Sequence, residues 1–124
     1  MLEQGALTER VIGLAIEVHA NTGPGLLESA YQTFLCMELE DAGIPYVSQA
    51  AIPVIYKNRK VPMGFRADIL VGDSLIVEIK AAAAFAPEHK AQLLTYLRMS
   101  QIKVGLLMNF NARKLKNGLL RCVM

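Results

Sequence analysis

Residues 65–80 read FRADILVGDSLIVEIK, and this stretch decides the fold. Its two apolar, β-prone runs are separated by Gly-Asp-Ser at 72–74, which is typical of a tight turn between antiparallel strands. Side chains alternate along a strand, so Glu78 and Lys80 share one face. A tight turn would place Asp68 across from Glu78. We therefore expect two carboxylates and an ammonium group to converge on one side of a hairpin.

Charged groups in an apolar hairpin are costly to bury unless their lost hydration is replaced. A divalent cation would replace it. Mg²⁺ takes oxygen ligands and keeps several waters, so Asp68, Glu78 and the backbone carbonyl of Ile79 would form a site for Mg²⁺ or Mn²⁺. Lys80 would then lie close to a bound water. The residues alone leave two alternatives, namely a buried ion pair with Lys80 or charges that face solvent on an edge strand.

The spacing of these residues resembles a known motif. An Asp followed ten positions later (78 − 68) by Glu-x-Lys at the end of a strand resembles the PD-(D/E)xK nuclease superfamily, although Ala67 stands where that motif has Pro. Residues 25–31, GLLESAY, are similar to the G-x-x-E-x-x-Y motif of the GxxExxY family, a small bacterial and archaeal group within that superfamily. The similarity covers nearly the whole chain, including EVH (17–19), VEIKA (77–81), QLLTYL (92–97) and GLLMNF (105–110).

The resemblance implies a Mg²⁺- or Mn²⁺-dependent phosphodiester hydrolase that cuts nucleic acid, with DNA as the first expectation. It implies metal ligands at Asp68 and Glu78 and a catalytic role for Lys80. It adds Glu28, from the helix before the sheet, as a third ligand. It also adds Gln92, from the helix after the Glu-x-Lys strand, as a group that positions water or phosphate. From the residues alone, Glu28 is an acid favoured by a helix dipole and Gln92 a surface residue.

Hydrophobic periodicity predicts the order α-α-β-β-β-α-β-β. This order contains the αβββαβ core of the restriction-endonuclease-like α/β fold, with a mixed central sheet and an extra N-terminal helix. The apolar run at 104–110 follows a strand and a helix, so we expect it to be a buried strand parallel to the one at 75–80. Pro53 predicts an edge strand or a bulge in the strand at 46–56.

Several local expectations concern the helices. Thr8 is expected to cap the first helix, and Pro24 to lie in the first turn of the second. Leu26 and Leu27 are then expected to face the core. The third helix is expected to begin at Pro87, with these residues packing inward: Ala91, Leu93, Leu94 and Leu97.

Length and composition limit the remaining possibilities. The 124 residues suffice for one domain, 1–124, with a single core. A hydrophobic fraction of 53% argues against disorder, and no apolar run is long enough to cross a membrane. The start of the chain lacks the features of a signal peptide, so the cytoplasm is the expected location. Cys36 and Cys122 have no spacing typical of a zinc site and are expected to be reduced thiols.

The charges are unevenly distributed along the chain. Residues 1–56 hold one base and seven acids, whereas residues 57–124 hold twelve bases and four acids. A basic half can supply phosphate contacts, although halves of a sequence need not be faces of a molecule. His19 is either a phosphate contact or a packing residue. The other candidate contacts to nucleic acid lie in the basic hairpin turn and on the third helix: Lys57, Arg59, Lys60, His89, Lys90 and Tyr96.

Two other classes of function stay open from the sequence. One is a non-catalytic nucleic-acid-binding or assembly protein that kept the fold. The other is a metal-dependent phosphoesterase that acts on nucleotides. No Gly-x-x-x-x-Gly-Lys loop is present, which argues against an ATPase. A chain of this size reaches over little of a duplex, so a homodimer is an attractive expectation.

Overall fold

The computed structural model describes residues 4–124, apart from the side chains of Gln4 and Met63. It contains three α-helices and five strands. These are α1 (Gln4–Thr22), α2 (Glu28–Asp41), β1 (Tyr46–Tyr56), β2 (Arg59–Val71), β3 (Leu75–Lys80), α3 (Pro87–Ser100), β4 (Val104–Asn109) and β5 (Leu119–Val123), with a short 3-10 helix at Leu115–Gly118. The order confirms the predicted αβββαβ core and the extra N-terminal helix.

The five strands form one mixed sheet in the order β1-β2-β3-β4-β5. Strands β3 and β4 are parallel, and the other neighbouring pairs are antiparallel. The β1–β2 hairpin turns at Lys57 and Asn58, whose positive φ values of 49° and 62° are typical of two-residue turns that match the twist of a sheet. The register of β1 and β2 shifts between Ile52 and Val54, so the bulge predicted at Pro53 is confirmed.

Helices cover both faces of this sheet. On one face α1 and α2 pack over one core, whose largest buried members include Tyr31, Leu35 and Phe110. On the other face α3 packs over a smaller core through Leu93 and Leu97. Residues 75–79 and 104–109 are all buried, as expected for strands covered on both faces. Within residues 4–124, no helix has the length and hydropathy of a membrane span.

The start of α2 differs from its prediction. The helix begins at Glu28, so Pro24 precedes it, and Leu26 and Leu27 are 40% and 77% exposed instead of buried. The reason is the backbone of Gly25, whose φ of 108° cannot continue into a helix.

Two smaller predictions about the helices are also wrong. Helix α1 extends back to Gln4, so Thr8 lies inside the helix and is not its cap. Thr8 is also buried. Ala91 faces solvent, and the buried positions of α3 are Leu93 and Leu97. Leu94 is partly buried against the same core, so the inward packing of Leu93, Leu94 and Leu97 is confirmed and only Ala91 is misplaced.

The two ends of the sheet are occupied by different parts of the chain. The Lys80 edge, named here for the ends of β3 and β4 at Lys80 and Asn109, also holds the end of α1, the start of α2 and the loops at 81–86 and 110–118. The opposite edge holds the β2–β3 turn and the end of α2, which meet where the Gly72 amide donates to the Pro45 carbonyl at 2.8 Å. The candidate site residues Asp68, Glu78 and Lys80 lie at the Lys80 edge.

Candidate active site

Asp68 and Glu78 face each other where the β2–β3 ladder ends. The last backbone pair is Ile69 with Val77, and one further step in this antiparallel register places Asp68 opposite Glu78. The Ile79 amide donates a hydrogen bond to Asp68 Oδ2 at 2.7 Å. The Asp68 carboxylate therefore accepts a hydrogen bond from a backbone amide of β3, at the level where the backbone pairing of β2 with β3 has ended. This contact fixes one carboxylate beside the other.

The backbone of β1 is also irregular at this level. The β1–β2 register passes from Ser48 with Ile69 to Ala50 with Ala67, and Gln49 between them has a φ of 50°. A non-glycine residue in the left-handed region costs free energy and is often found at functional sites. This irregularity lies beside Asp68 in the sheet.

Glu78 is a buried acid with unsatisfied hydrogen-bonding capacity. It is only 7% exposed, and its Oε1 atom has no hydrogen-bond partner among the residues that the structure describes. Burial, and after it the negative charge of Asp68, raise the pKa of Glu78 to about 8, although Lys80 acts in the opposite direction. A buried carboxylate oxygen without a donor is a fit for a bound cation.

Lys80 follows Glu78 by two positions and therefore lies on the same face of β3. It is partly buried at the end of the strand, and its backbone carbonyl accepts the Phe110 amide at 2.9 Å. Its ammonium group lowers the pKa of Glu78, so the two charges are close. The ammonium group does not bond Glu78 Oε1, which leaves that oxygen available.

The carbonyl of Ile79 points toward the same site. In a strand the N–H and C=O groups of one residue point to the same neighbouring strand. The Ile79 amide is bonded to Asp68 on the β2 side, so its carbonyl also points toward β2. Two carboxylates and one carbonyl form an all-oxygen donor set, which suits Mg²⁺ or Mn²⁺ better than a thiophilic metal.

Glu28 reaches the Lys80 edge from α2 but does not join the acid pair. Its Oε2 accepts the Ala81 amide at 3.1 Å, and its side chain is exposed. Within residues 4–124, no group of three or more His, Cys, Asp or Glu side chains is arranged to hold a metal ion. The Glu28 carboxylate, which the resemblance implied as a third metal ligand, is thus bonded to the backbone of Ala81, the residue that follows Lys80.

The other residues of the G-x-x-E-x-x-Y stretch fix the position of Glu28. The Tyr31 hydroxyl accepts the Leu26 amide at 3.1 Å and donates to the Gly23 carbonyl at 2.6 Å. The Tyr31 ring is fully buried and stacks on Phe110, with centroids 4.6 Å apart. The tyrosine therefore ties down the loop that leads into α2, a role that the sequence analysis did not assign to it.

Helix α3 forms the wall opposite the acid pair. The Tyr96 ring stacks on Phe65 with centroids 3.6 Å apart. Burial, followed by the charges of Glu78 and Asp68, raises the pKa of Tyr96, which indicates that its phenol lies near both acids. Gln92 lies one turn before Tyr96 on the same face of α3 and is exposed, in the half of the helix nearer the Lys80 edge.

Asn109 is a site residue that the sequence analysis missed. It is 5% exposed and lies next to Lys80 in the parallel register of β3 and β4. Its Oδ1 accepts the amides of Ala82 and Asn111, both at 3.1 Å, and its Nδ2 donates to the Ala82 carbonyl at 2.9 Å. Asn109 thus holds the loop that follows Lys80. A polar residue at the end of an otherwise apolar strand was the signal for it.

Five of the predicted contacts to nucleic acid lie in two places, the β1–β2 hairpin and the start of α3. Lys57, Arg59 and Lys60 are exposed at the end of the β1–β2 hairpin. Lys90 is exposed in the first turns of α3. His89 is on the same helix, where its Nδ1 accepts the backbone amide of the cap residue at 3.1 Å, so only its Nε2 remains for another contact.

The structure supports the packing role of His19 over its predicted contact with phosphate. His19 is 8% exposed, and its Nε2 donates to the Ala112 carbonyl at 2.8 Å. Its ring also lies 6.3 Å from that of Phe110. A buried imidazole with this bond holds the loop at 110–118 and does not face a ligand through that nitrogen.

The comparisons with known proteins agree with this geometry. A family model for the PD-(D/E)XK nuclease superfamily matches residues 5–122. Comparisons with curated proteins and with solved structures gave no significant match. The matched region contains the acid pair, Lys80 and the helices on both sides of the sheet.

Proposed function

This chain belongs to the PD-(D/E)XK nuclease superfamily, and on that basis we propose that it is a metal-dependent nuclease that hydrolyses phosphodiester bonds in DNA. One observation carries the proposal. Asp68 and Glu78 face each other at the end of a ladder with Lys80 on the same face, and the buried Glu78 Oε1 has no hydrogen-bond partner in the part of the chain that the structure describes. A purely structural pair of acids would be expected to have all its buried oxygens bonded.

The residues that would hold the metal are Asp68, Glu78 and the carbonyl of Ile79. A bound Mg²⁺ or Mn²⁺ would polarise the phosphoryl oxygen and lower the pKa of a nucleophilic water. Glu28, which lies at Ala81, is proposed to complete this set when the site closes around a substrate. Without a cation, burial and the charge of Asp68 keep Glu78 protonated up to a pH of about 8, whereas a bound cation would stabilise both carboxylates in their charged form.

The other residues act on the substrate directly. In hydrolysis a water oxygen bonds to phosphorus, the bond from phosphorus to the leaving oxygen breaks, and the leaving oxygen takes up a proton while the water loses one. The Lys80 ammonium stabilises the negative charge that develops on the phosphoryl oxygens. The Gln92 amide orients water or phosphate from α3. The stacked pair of Phe65 and Tyr96 closes the site on that side.

We also propose that the chain belongs to the GxxExxY family. Three contacts support this finer assignment: the backbone of Gly25 at φ 108°, the bond from Glu28 to Ala81 and the two bonds of the Tyr31 hydroxyl. Gly25, Glu28 and Tyr31, the residues that the motif specifies, thus each have a separate structural role at the Lys80 edge. A cytoplasmic homodimer made of single domains, 1–124, is proposed for the working form because one small domain covers little of a duplex.

Cleavage assays test the proposed function. Labelled duplex, single-stranded and branched DNA, together with RNA, would be incubated with Mg²⁺, Mn²⁺ or EDTA. Wild-type protein is expected to cut DNA only with a divalent metal. Glu78→Gln is expected to abolish the cutting, and Lys80→Ala to slow it by about 10²- to 10³-fold. Glu88→Gln, an exposed glutamate on α3, is the matched control and should cut normally. Cutting that survives in Glu78→Gln would contradict the assignment.

A further inference from the structure

Two acid-free groups of exposed bases lie at the Lys80 edge of the sheet, whereas the opposite edge holds both acids and bases. At the opposite edge lie the acids that end α2 and the acid of the β2–β3 turn: Glu38, Glu40, Asp41 and Asp73. At the Lys80 edge, two basic segments flank the acid pair, and neither contains an acid. One is part of the β1–β2 hairpin, and the other is the loop after β4.

The first segment is the hairpin arm, defined as residues 54–61. Here β1 and β2 pair only with each other, from Val54 with Val61 to Tyr56 with Arg59, because the ladder of β2 with β3 is confined to residues 69–71. The turn at Asn58 lies ten residues from Asp68 (68 − 58), which is roughly 30 Å of extended chain. The arm therefore projects beyond the acid pair and presents three exposed bases: Lys57, Arg59 and Lys60.

The second segment is the basic loop, defined as residues 110–118. It follows β4 on the other side of β3 and presents three exposed bases: Arg113, Lys114 and Lys116. The loop is held from beneath. Leu115 is 3% exposed, the Asn117 amide donates to the Lys114 carbonyl at 3.0 Å, and His19 donates to the Ala112 carbonyl at 2.8 Å.

Close packing also limits the movement of this loop. A Cβ atom on Gly118 would lie 2.5 Å from the Asn109 backbone oxygen, so the chain passes there without room for a side chain. A loop ordered in advance loses little conformational entropy when its side chains bind. Its bases are thus presented on a fixed backbone at the Lys80 edge.

We propose that the hairpin arm and the basic loop hold the nucleic-acid substrate on both sides of the bond to be cut, the arm on one side and the loop on the other. The inference rests on the proposed nuclease function and adds the residues that bind the substrate backbone. A mononucleotide at Asp68 and Glu78 could not reach both segments, whereas a backbone that continues past the site in both directions can. It also gives His19 a positioning role, because its bond to Ala112 supports the basic loop.

Binding measurements with matched variants test this grip. Each of three variants replaces three bases by Gln, so the change in net charge is the same. They are the arm variant (Lys57→Gln, Arg59→Gln, Lys60→Gln), the loop variant (Arg113→Gln, Lys114→Gln, Lys116→Gln) and a control variant at the opposite edge (Arg10→Gln, Arg98→Gln, Lys103→Gln). Fluorescence anisotropy in EDTA would give Kd for labelled duplex DNA over a range of salt concentrations, and circular dichroism would establish that each variant is folded.

The salt dependence gives the number of phosphate contacts. Each contact with duplex DNA contributes roughly 0.9 to the slope of log K against log salt. The arm and loop variants should each reduce that slope by about 2 to 3 and weaken binding at low salt by at least about tenfold. The control variant should change the slope and the affinity at low salt much less than the arm and loop variants do. A loop variant that binds like the control variant would overturn the proposal.

A series of DNA lengths separates this inference from the proposed function. Affinity for wild-type protein should rise from a dinucleotide to a duplex long enough to reach both segments, and the loop variant should lose part of that rise. Equal cutting of a dinucleotide and a long duplex would refute the grip while leaving a phosphodiesterase in place. If the wild type cuts nothing and both triple variants still weaken binding, the grip stands and the catalytic proposal fails.

Discussion

The stability of the metal-free protein should decrease as the pH rises, because of Glu78. Below pH 4.5 this carboxyl is protonated in both the folded and the unfolded chain. Burial and the charge of Asp68 raise its pKa from 4.5 to about 8 in the folded chain. Between these values the folded chain keeps a proton that the unfolded chain has released, so the free energy of unfolding falls as the pH rises.

The magnitude follows from the size of the shift. Each pKa unit corresponds to about 1.4 kcal/mol. The change at Glu78 therefore lowers the free energy of unfolding by up to about 5 kcal/mol, a large part of the stability of a domain of this size. The loss should level off above a pH of about 8, where the folded chain has also released the proton.

Urea unfolding followed by circular dichroism would measure this effect, since the chain has no tryptophan. The difference between wild-type protein and Glu78→Gln isolates Glu78 and its interactions with Asp68 and Lys80, because titrating residues that do not interact with Glu78 contribute equally to both. The variant should be about as stable as wild type near pH 4.5 and more stable by several kcal/mol above pH 8. Glu88→Gln, which changes an exposed acid on α3, should follow the wild type at every pH.

Adding a divalent metal provides a second measurement on the same proteins. Mg²⁺ or Mn²⁺ at about 100 times its Kd should restore about 3 kcal/mol to wild-type protein above pH 8 and should have little effect on Glu78→Gln. If the stability of wild-type protein stays constant over this pH range, or changes with pH as steeply in Glu78→Gln as in wild type, then Glu78 is not a buried acid with a raised pKa. Metal stabilisation that persists in Glu78→Gln would place the ion elsewhere.

Three further predictions concern single side chains. Lys80→Ala should lower the rate of single-turnover cleavage by about 10²- to 10³-fold, and Lys80→Arg should lower it less. Equal cleavage rates for the two variants would contradict the electrostatic role. Tyr31→Phe should lower the free energy of unfolding by about 1 to 3 kcal/mol, because two backbone groups lose their partner, and an unchanged Tm would argue against those bonds. Asn109→Ala should expose the loop at 81–86 to limited proteolysis, whereas Asn111→Ala, which loses only a bond of 3.4 Å, should not.

The acid pair was predictable because its geometry is local. The turn at 72–74 is short, and its length sets which residues of β2 and β3 lie opposite each other. The position of Asp68 opposite Glu78 therefore follows from the order of residues alone. The continuous apolar run of β4 likewise predicted a strand buried on both faces and parallel to β3.

Contacts between distant segments were not predictable in this way. The bond from Glu28 to Ala81 joins residues 53 positions apart and depends on how α2 lies on the sheet. Leu27 is apolar and fits a helical stripe, yet Gly25 interrupts the helix before it, and periodicity does not report φ. The left-handed backbone of Gln49 has no sequence signature either, because a glutamine there gives no warning of a positive φ.

The charge pattern shows the same limitation. Counted along the chain, the bases fall in the second half, which suggested one basic side to the molecule. In the structure, bases lie at both edges of the sheet, and the parallel crossover brings the loop after β4 beside the end of β3. Bases far apart in sequence, such as Lys57 and Lys116, therefore flank one site.

The parallel pairing of β3 with β4 also sets an order in which the site can form as the chain folds. Asp68 and Glu78 meet through a hairpin, which closes in about 1 to 10 μs. Lys80 meets Asn109 only after the crossover between β3 and β4, residues 81–103, has been ordered, which is a slower, non-local step. The two acids can therefore meet before the pairing that brings the loop and the basic segment to the Lys80 edge has formed.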